Sequence, residues 1–169
     1  MNEAIINDII EVEGDFSEDP DDHGGATRWG VTQATLEAWR GSPVSVEDVR
    51  TLSITEARLI LEDLYIKKPG FDRIASEVLR DCLVDYGVNS GPSAAIKALQ
   101  RCLGVKADGV IGPETEKAAN IKPGTWLSVK VTAQRIRHLG RIVTNDPTQA
   151  RFAAGWANRI ASKLEGLSI

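Results

Sequence analysis

Residues 13–32 read EGDFSEDPDDHGGATRWGVT. An apolar-periodic stretch ends at Glu13-Gly14. An acidic segment follows, then Gly24-Gly25, then a short alternating run. Upstream, Ile5, Ile6, Ile9, Ile10 and Val12 leave one broad apolar face, which predicts a helix over 2–13. Asn2 can cap its start and Gly14 can end it. Residues 15–23 are acidic and contain Pro20, so they form a loop. Gly24, Gly25 and Gly30 supply bends, and 26–31 is expected to be a small β-hairpin or extended turn.

Working outward, the pattern becomes helix after helix. Thr32 caps a helix to about Trp39. Ser45 with Asp48 starts a short helix to about Leu52. Ser53 with Glu56 has the form of a capping box, and its helix runs to about Lys67 before Pro69-Gly70. Ile74 to Tyr86 is the most apolar stretch. It places Val78, Leu79, Cys82, Leu83 and Tyr86 at helical spacing and is expected to be the central core helix. Asn89-Ser90-Gly91-Pro92 breaks it, and a helix resumes over 93–103. A turn-rich segment holds Asp108-Gly109 and Gly112-Pro113, followed by a short helix to about Asn120. Helices over about 125–143 and 147–164 finish the chain. These short connections predict a mainly α fold with one small hairpin after the first helix.

The 169 residues suit one domain, or a domain with a small integrated lobe. Apolar residues make up 42% and charged residues 26%, as a packed core requires. The net charge of −4 comes with no Lys/Arg cluster, which argues against nucleic-acid binding. No stretch is long and apolar enough for membrane insertion. The N-terminus carries acids where a secretory signal carries Lys or Arg, so accumulation in the cytoplasm is expected. Cys82 and Cys102 are too few for a disulfide scaffold or a zinc site and are expected to be free thiols. His23 and His138 suggest neither a metal site nor a catalytic triad. The acidic run does not have EF-hand spacing, and no cofactor or metal is expected.

A carboxylate at a helix end, followed by carboxylates returning over a loop, is how acid-assisted glycoside cleavage assembles its two groups. Glu13 is the candidate general acid, since the last turn of a helix disfavours a carboxylate and raises its affinity for a proton. Asp22 and Asp19 compete for the second role. Trp29 either stacks on a sugar or packs the hairpin. Tyr86 and Asn89 are candidates to line a cleft, with Asn89 alternatively a helix C-cap. The Asp108-to-Thr115 stretch is either a contact surface or a structural turn.

Glu13-Gly14-Asp15-Phe16, Asp19-Pro20-x-Asp22-x-Gly24-Gly25-x-Thr27 and Gly30-Val31-Thr32 resemble the signature of glycoside hydrolase family 108, which contains N-acetylmuramidases. Val88-Asn89-Ser90-Gly91-Pro92, Leu99-Gln100, Leu103-Gly104-Val105 and Asp108 to Thr115 resemble that family's C-terminal peptidoglycan segment, and Gly155 to Arg159 its last helix. The order Glu13, Asp22, Thr27 is also similar to that of phage-type lysozymes, whose Asp-to-Thr interval is one residue longer. Asp15, Phe16 and Trp29 depart from the family's usual residues.

The resemblance implies a lysozyme-like fold, with a catalytic part over 1–87 and a helical peptidoglycan-binding segment over 88–169 packed into the same domain. It implies cleavage of the β-1,4 bond between N-acetylmuramic acid and N-acetylglucosamine, with the peptidoglycan glycan strand as partner. Glu13, Asp22 and Thr27 would be catalytic; Trp29, Thr32, Tyr86 and Asn89 would bind substrate. A monomeric phage or prophage endolysin, released from the cytoplasm to the wall through a holin lesion, is the expected setting. A muramidase assisting protein secretion and a non-catalytic peptidoglycan-binding module are the alternatives. Because the protein is acidic, recognition of an anionic wall has to be local.

Overall fold

The computed structural model describes residues 6, 7, 9–11, 15–17 and 26–167. The chain forms two compact units, Met1–Lys68 and Pro69–Ile169.

In the first unit, residues 6, 7 and 9–11 are helical (α1), and Ile6, Ile9 and Ile10 are buried as the apolar face predicts. Strands β1 (Thr27–Arg28) and β2 (Val31–Thr32) form an antiparallel hairpin, pairing Thr27 with Thr32 and Arg28 with Val31. Helix α2 (Gln33–Arg40) follows directly, capped by the Thr32 hydroxyl, which accepts the Thr35 N–H at 3.2 Å. Helix α3 (Val46–Arg50) carries the complete Ser45–Asp48 capping box. Helix α4 (Ile54–Glu62) continues into a π-helical turn at Asp63–Lys67, so the expected single helix widens in its last turn. The expected Ser53–Glu56 box is half made. Ser53 accepts the Glu56 N–H, but the Glu56 carboxylate turns away to take Arg40 at 3.0 Å on both oxygens. Two charge-assisted bonds outcompete one backbone N–H. Val31, Leu36, Val49, Leu52, Ile60, Leu61 and Ile66 form the core.

The second unit is built on α5 (Glu77–Ser90), α6 (Pro92–Leu103) and α8 (Gly124–Asn145), each packed on the other two. Helix α7 (Pro113–Ile121) lies on α6 and α8, and α9 (Ala153–Glu165) lies on α8 after a 3-10 stretch at Pro147–Phe152. The core helix starts three residues later than Ile74. The Asn120 side chain bonds the Ala75 N–H (2.8 Å) and the Arg73 carbonyl (3.0 Å), holding 73–75 out of the helix, and Ser76 becomes the cap. Leu79, Leu83, Tyr86 and Leu99 are buried, whereas Val78 is exposed. Truncating one of these leucines to Ala removes about 2–5 kcal/mol. No helix among the described residues is long and apolar enough to cross a membrane.

Candidate active site

Glu13, Asp19 and Asp22 lie outside the described residues. What the structure does describe is the chain on either side of them. Ser17 and Thr27 form an antiparallel bridge, each N–H donating to the other's carbonyl at 2.8 Å. Ser17 and Thr27, which flank the acidic stretch in the sequence, are therefore held together at the base of the hairpin. Beyond it, the Gln33 N–H donates to the Ala26 carbonyl at 2.9 Å, which fixes the hairpin to the start of α2.

Arg28 organises the exposed side of this region, and its role was not apparent from the sequence. Its Nε donates to Asp15 Oδ1 at 3.0 Å, its Nη1 donates to the Arg50 carbonyl, and its guanidinium carbon sits 5.3 Å from the centre of the Trp29 ring. Asp15 is 71% exposed, so the ion pair itself contributes little stability. Its effect is positional, because it joins Asp15 to strand β1 across 13 positions of the sequence. Two of the departures from the family pattern each meet an arginine here. Asp15 supplies the partner for Arg28 and accepts the Phe16 N–H at 2.8 Å, while the Phe16 ring takes the Arg50 guanidinium on its face at 4.2 Å.

Trp29 and Gly30 are the two turn residues of the hairpin, with φ of 55° and 77°. Positive φ at both positions is the I′ pattern that matches strand twist. Glycine suits it, and tryptophan does not. Among the described residues Trp29 is the one non-glycine with positive φ. Its ring is half-buried, and Nε1 is shielded from water without a hydrogen-bond partner among the described residues. Thr32 serves as the α2 cap, with its hydroxyl also 2.9 Å from the Thr35 hydroxyl.

Tyr86 and Asn89 belong to the second unit. Tyr86 is 2% exposed. Its ring centre is 6.3 Å from that of His138, and the Arg135 guanidinium carbon is 5.3 Å away. Burial raises its phenol above the ordinary value, against the pull of Arg135, Arg101 and Arg141. Asn89 is exposed in the last turn of α5, and Gly91 (φ 84°) rather than Asn89 is the terminal cap. Cys82 and Cys102 are free thiols, and burial pushes Cys82 up to about 11. Among the described residues no group of three His, Cys, Asp or Glu side chains could hold a metal ion.

Two polar clusters in the second unit were not anticipated. Asp85, 4% exposed, binds Arg135 at 2.6 Å and Arg159 at 2.9 Å, tying α5 to α8 and α9. An acid on the core face of the most apolar helix was the available signal. The second cluster gives the Asp108-to-Thr115 stretch a structural role as a turn held from α6. Gln100, 1% exposed, places Nε2 within 3.2 Å of Asp108 Oδ1, the Val110 carbonyl and Thr115 Oγ1. Its Oε1 accepts the Gly109 N–H at 2.9 Å. The Gln100 amide, with the Val110 N–H, holds the Asp108 carboxyl below its ordinary value. That contribution is full above the unfolded value and is lost as pH falls through the depressed folded one. Gln100→Leu should cost about 1–3 kcal/mol in urea unfolding, because it orphans the groups of this turn. An unchanged midpoint would show that the turn holds itself.

A mainly helical fold with a small hairpin after its first helix is a lysozyme-like helical fold. Residues 6–91 match the family model described as Glycosyl hydrolase 108, and residues 94–161 match that described as Predicted Peptidoglycan domain. The chain belongs to the glycosyl hydrolase 108 family. Brucella abortus SagA, a solved structure, is 30% identical over 96% of this chain and 92% of its own, with a TM-score of 0.79. A comparison with curated proteins finds no significant match. The protein is a peptidoglycan hydrolase with peptidoglycan as its substrate partner. The two matched segments meet between 91 and 94, while the packing units divide between 68 and 69. Helix α5 thus belongs to the first by sequence match and packs with the second.

Proposed function

We propose that this chain is an N-acetylmuramidase hydrolysing the β-1,4 bond between N-acetylmuramic acid and N-acetylglucosamine. Glu13 gives its proton to the glycosidic oxygen as the bond from the anomeric carbon breaks. Water attacks the opposite face of that carbon and loses its proton to Asp22, with Thr27 helping to hold the water; the outcome is inversion. Trp29 offers a ring to a sugar face, with Thr32 next to it at the start of α2. The observation that carries this reading is the Ser17–Thr27 bridge. It pairs Ser17 with Thr27, the residues that flank Asp19 and Asp22 in the sequence, shortly after Glu13. Mass spectrometry of digested peptidoglycan tests it. N-acetylmuramic acid is expected at every new reducing end, and N-acetylglucosamine there would overturn the bond assignment.

Asp22→Ala should lower the rate more than Asp19→Ala, because Asp22 has the lysozyme-like interval from Glu13 and Asp19 precedes a proline. Turnover of permeabilised cell walls by both variants gives the order, and the reverse order moves the second role to Asp19. The setting we propose is a phage or prophage lysis enzyme, acting as a monomer and held in the cytoplasm until a holin opens the membrane. Lysis of a host expressing the chain should then require co-expression of a holin. Lysis without one contradicts that route.

A further inference from the structure

The second unit contains a pocket of about 390 Å³ between α6 and α8, over the end of α5. Ser93, Lys97 and Arg101 recur every four residues on α6, and Gln134, His138 and Arg141 share one face of α8. Tyr86 lines it from α5. Lys97, Arg101 and Arg141 bring three positive charges to this one space. Among the described residues none of the three forms an ion pair.

The arrangement is unusual for this chain. Acids outnumber bases, 24 to 20, yet neither α6 nor α8 contains an Asp or a Glu. The buried acid of α5, Asp85, is already committed to Arg135 and Arg159. Like charges four apart on a helix disfavour it, and here they face a further cation across the gap. His138 feels the result. Burial, then Arg141 and Arg101, lower its affinity for a proton, so at neutral pH the ring is neutral and available for hydrogen bonding.

We propose that this pocket binds a carboxylate of the peptidoglycan peptide stem, gripped by Arg101 and Arg141 with Lys97 supplying further charge. Guanidinium forks match a carboxylate in two parallel bonds. The glycan backbone around the scissile bond offers neutral hydroxyls and amides, so the stem carboxylates are the feature a small cationic pocket would read. Except for Tyr86 and Ser93, every residue lining the pocket falls in the segment matching the peptidoglycan domain. The pocket also provides the local recognition that a protein of net charge −4 needs at an anionic wall. This deepens the peptidoglycan reading without depending on which glycosidic bond is cut.

The test is binding of the whole chain, by calorimetry, to an N-acetylmuramoyl peptide with free carboxylates and to the same compound with them amidated. The free form should bind about tenfold tighter or more, since charge-assisted hydrogen bonds are lost on amidation. R101Q/R141Q should lose that preference, and R101K/R141K, which keeps the charge but not the fork, should keep only part of it. Equal affinity of the wild type for the two forms overturns the proposal whatever the variants do, so it stays testable even if a variant misfolds. Inorganic phosphate binding as tightly as the stem peptide would also overturn it. Hydrolysis is read in parallel. If the muramidase reading fails, the expected reducing ends are missing while the preference for free carboxylates stands. If this proposal fails, the preference is absent while the ends are formed.

Discussion

Replacing Glu13 by Gln should lower peptidoglycan hydrolysis by about 10²-fold or more while wall binding persists. Gln keeps the size of the side chain but has no proton to give to the leaving oxygen. The same substitution should not weaken the fold at neutral pH. A general acid must hold its proton near pH 7, so its folded pKa lies above the unfolded value of about 4.3. The folded state then binds the proton more tightly than the unfolded state does. Stability falls as pH rises from the unfolded value towards the raised folded one, and above that window the whole cost is present. Gln cannot ionise and escapes it. The variant should be at least as stable as wild type at pH 7, with its advantage shrinking towards pH 4. Hydrolysis rates and urea unfolding at both pH values check the pair. Near-normal lysis sinks the assignment of the acid, and a stability difference that ignores pH sinks the account of its environment.

The other large effect is on stability alone. Asp85→Ala should cost about 3–5 kcal/mol, because it strips the anion from a buried guanidinium. Arg135 is 4% exposed, and its Nε and Nη2 already lack partners among the described residues. Its Nη1 would then lose the 2.6 Å bond to Asp85 as well. Against a total stability of about 5–15 kcal/mol this is a large fraction. The triple change Asp85→Leu, Arg135→Met, Arg159→Leu should recover much of the loss, since an apolar cluster of similar volume needs no buried charge. Thermal and urea unfolding measure both. A loss under about 1 kcal/mol for Asp85→Ala would mean that water reaches Arg135 and replaces the carboxylate.

Local signals in the sequence located most elements, because caps and breakers act over a few residues. Thr32, Ser45, Ser53 and Gly91 all sit where their side-chain or backbone chemistry sends them. The misplaced details depended on partners distant in sequence. Asn120 delays the start of α5 by forty-odd positions' remove, and Arg40 draws Glu56 off its box. Asp85 was visible only as an acid in an apolar helix, since its partners lie on α8 and α9. In the candidate site, residue types and order carried the reading of Glu13 and Asp22. Arg28 was missed because its contacts to Asp15 and Arg50 span 13 and 22 residues. The cationic pocket was hidden for a related reason. Lys97, Arg101 and Arg141 form no run in the sequence and meet only when α6 lies against α8.

The position of α5 decides where this protein tolerates recombination. A chimaera joined between residues 91 and 94, where the two matched segments meet, would carry α5 away from α6 and α8. Each product would inherit half of an interface shaped for another parent, with Leu79, Leu83 and Leu99 set against unfamiliar neighbours. A crossover between 68 and 69 keeps the three helices and the Asp85 cluster from a single parent. Exchanges within the family should therefore yield soluble protein more often at the earlier junction, and wall-binding specificity should travel with everything from Pro69 onward.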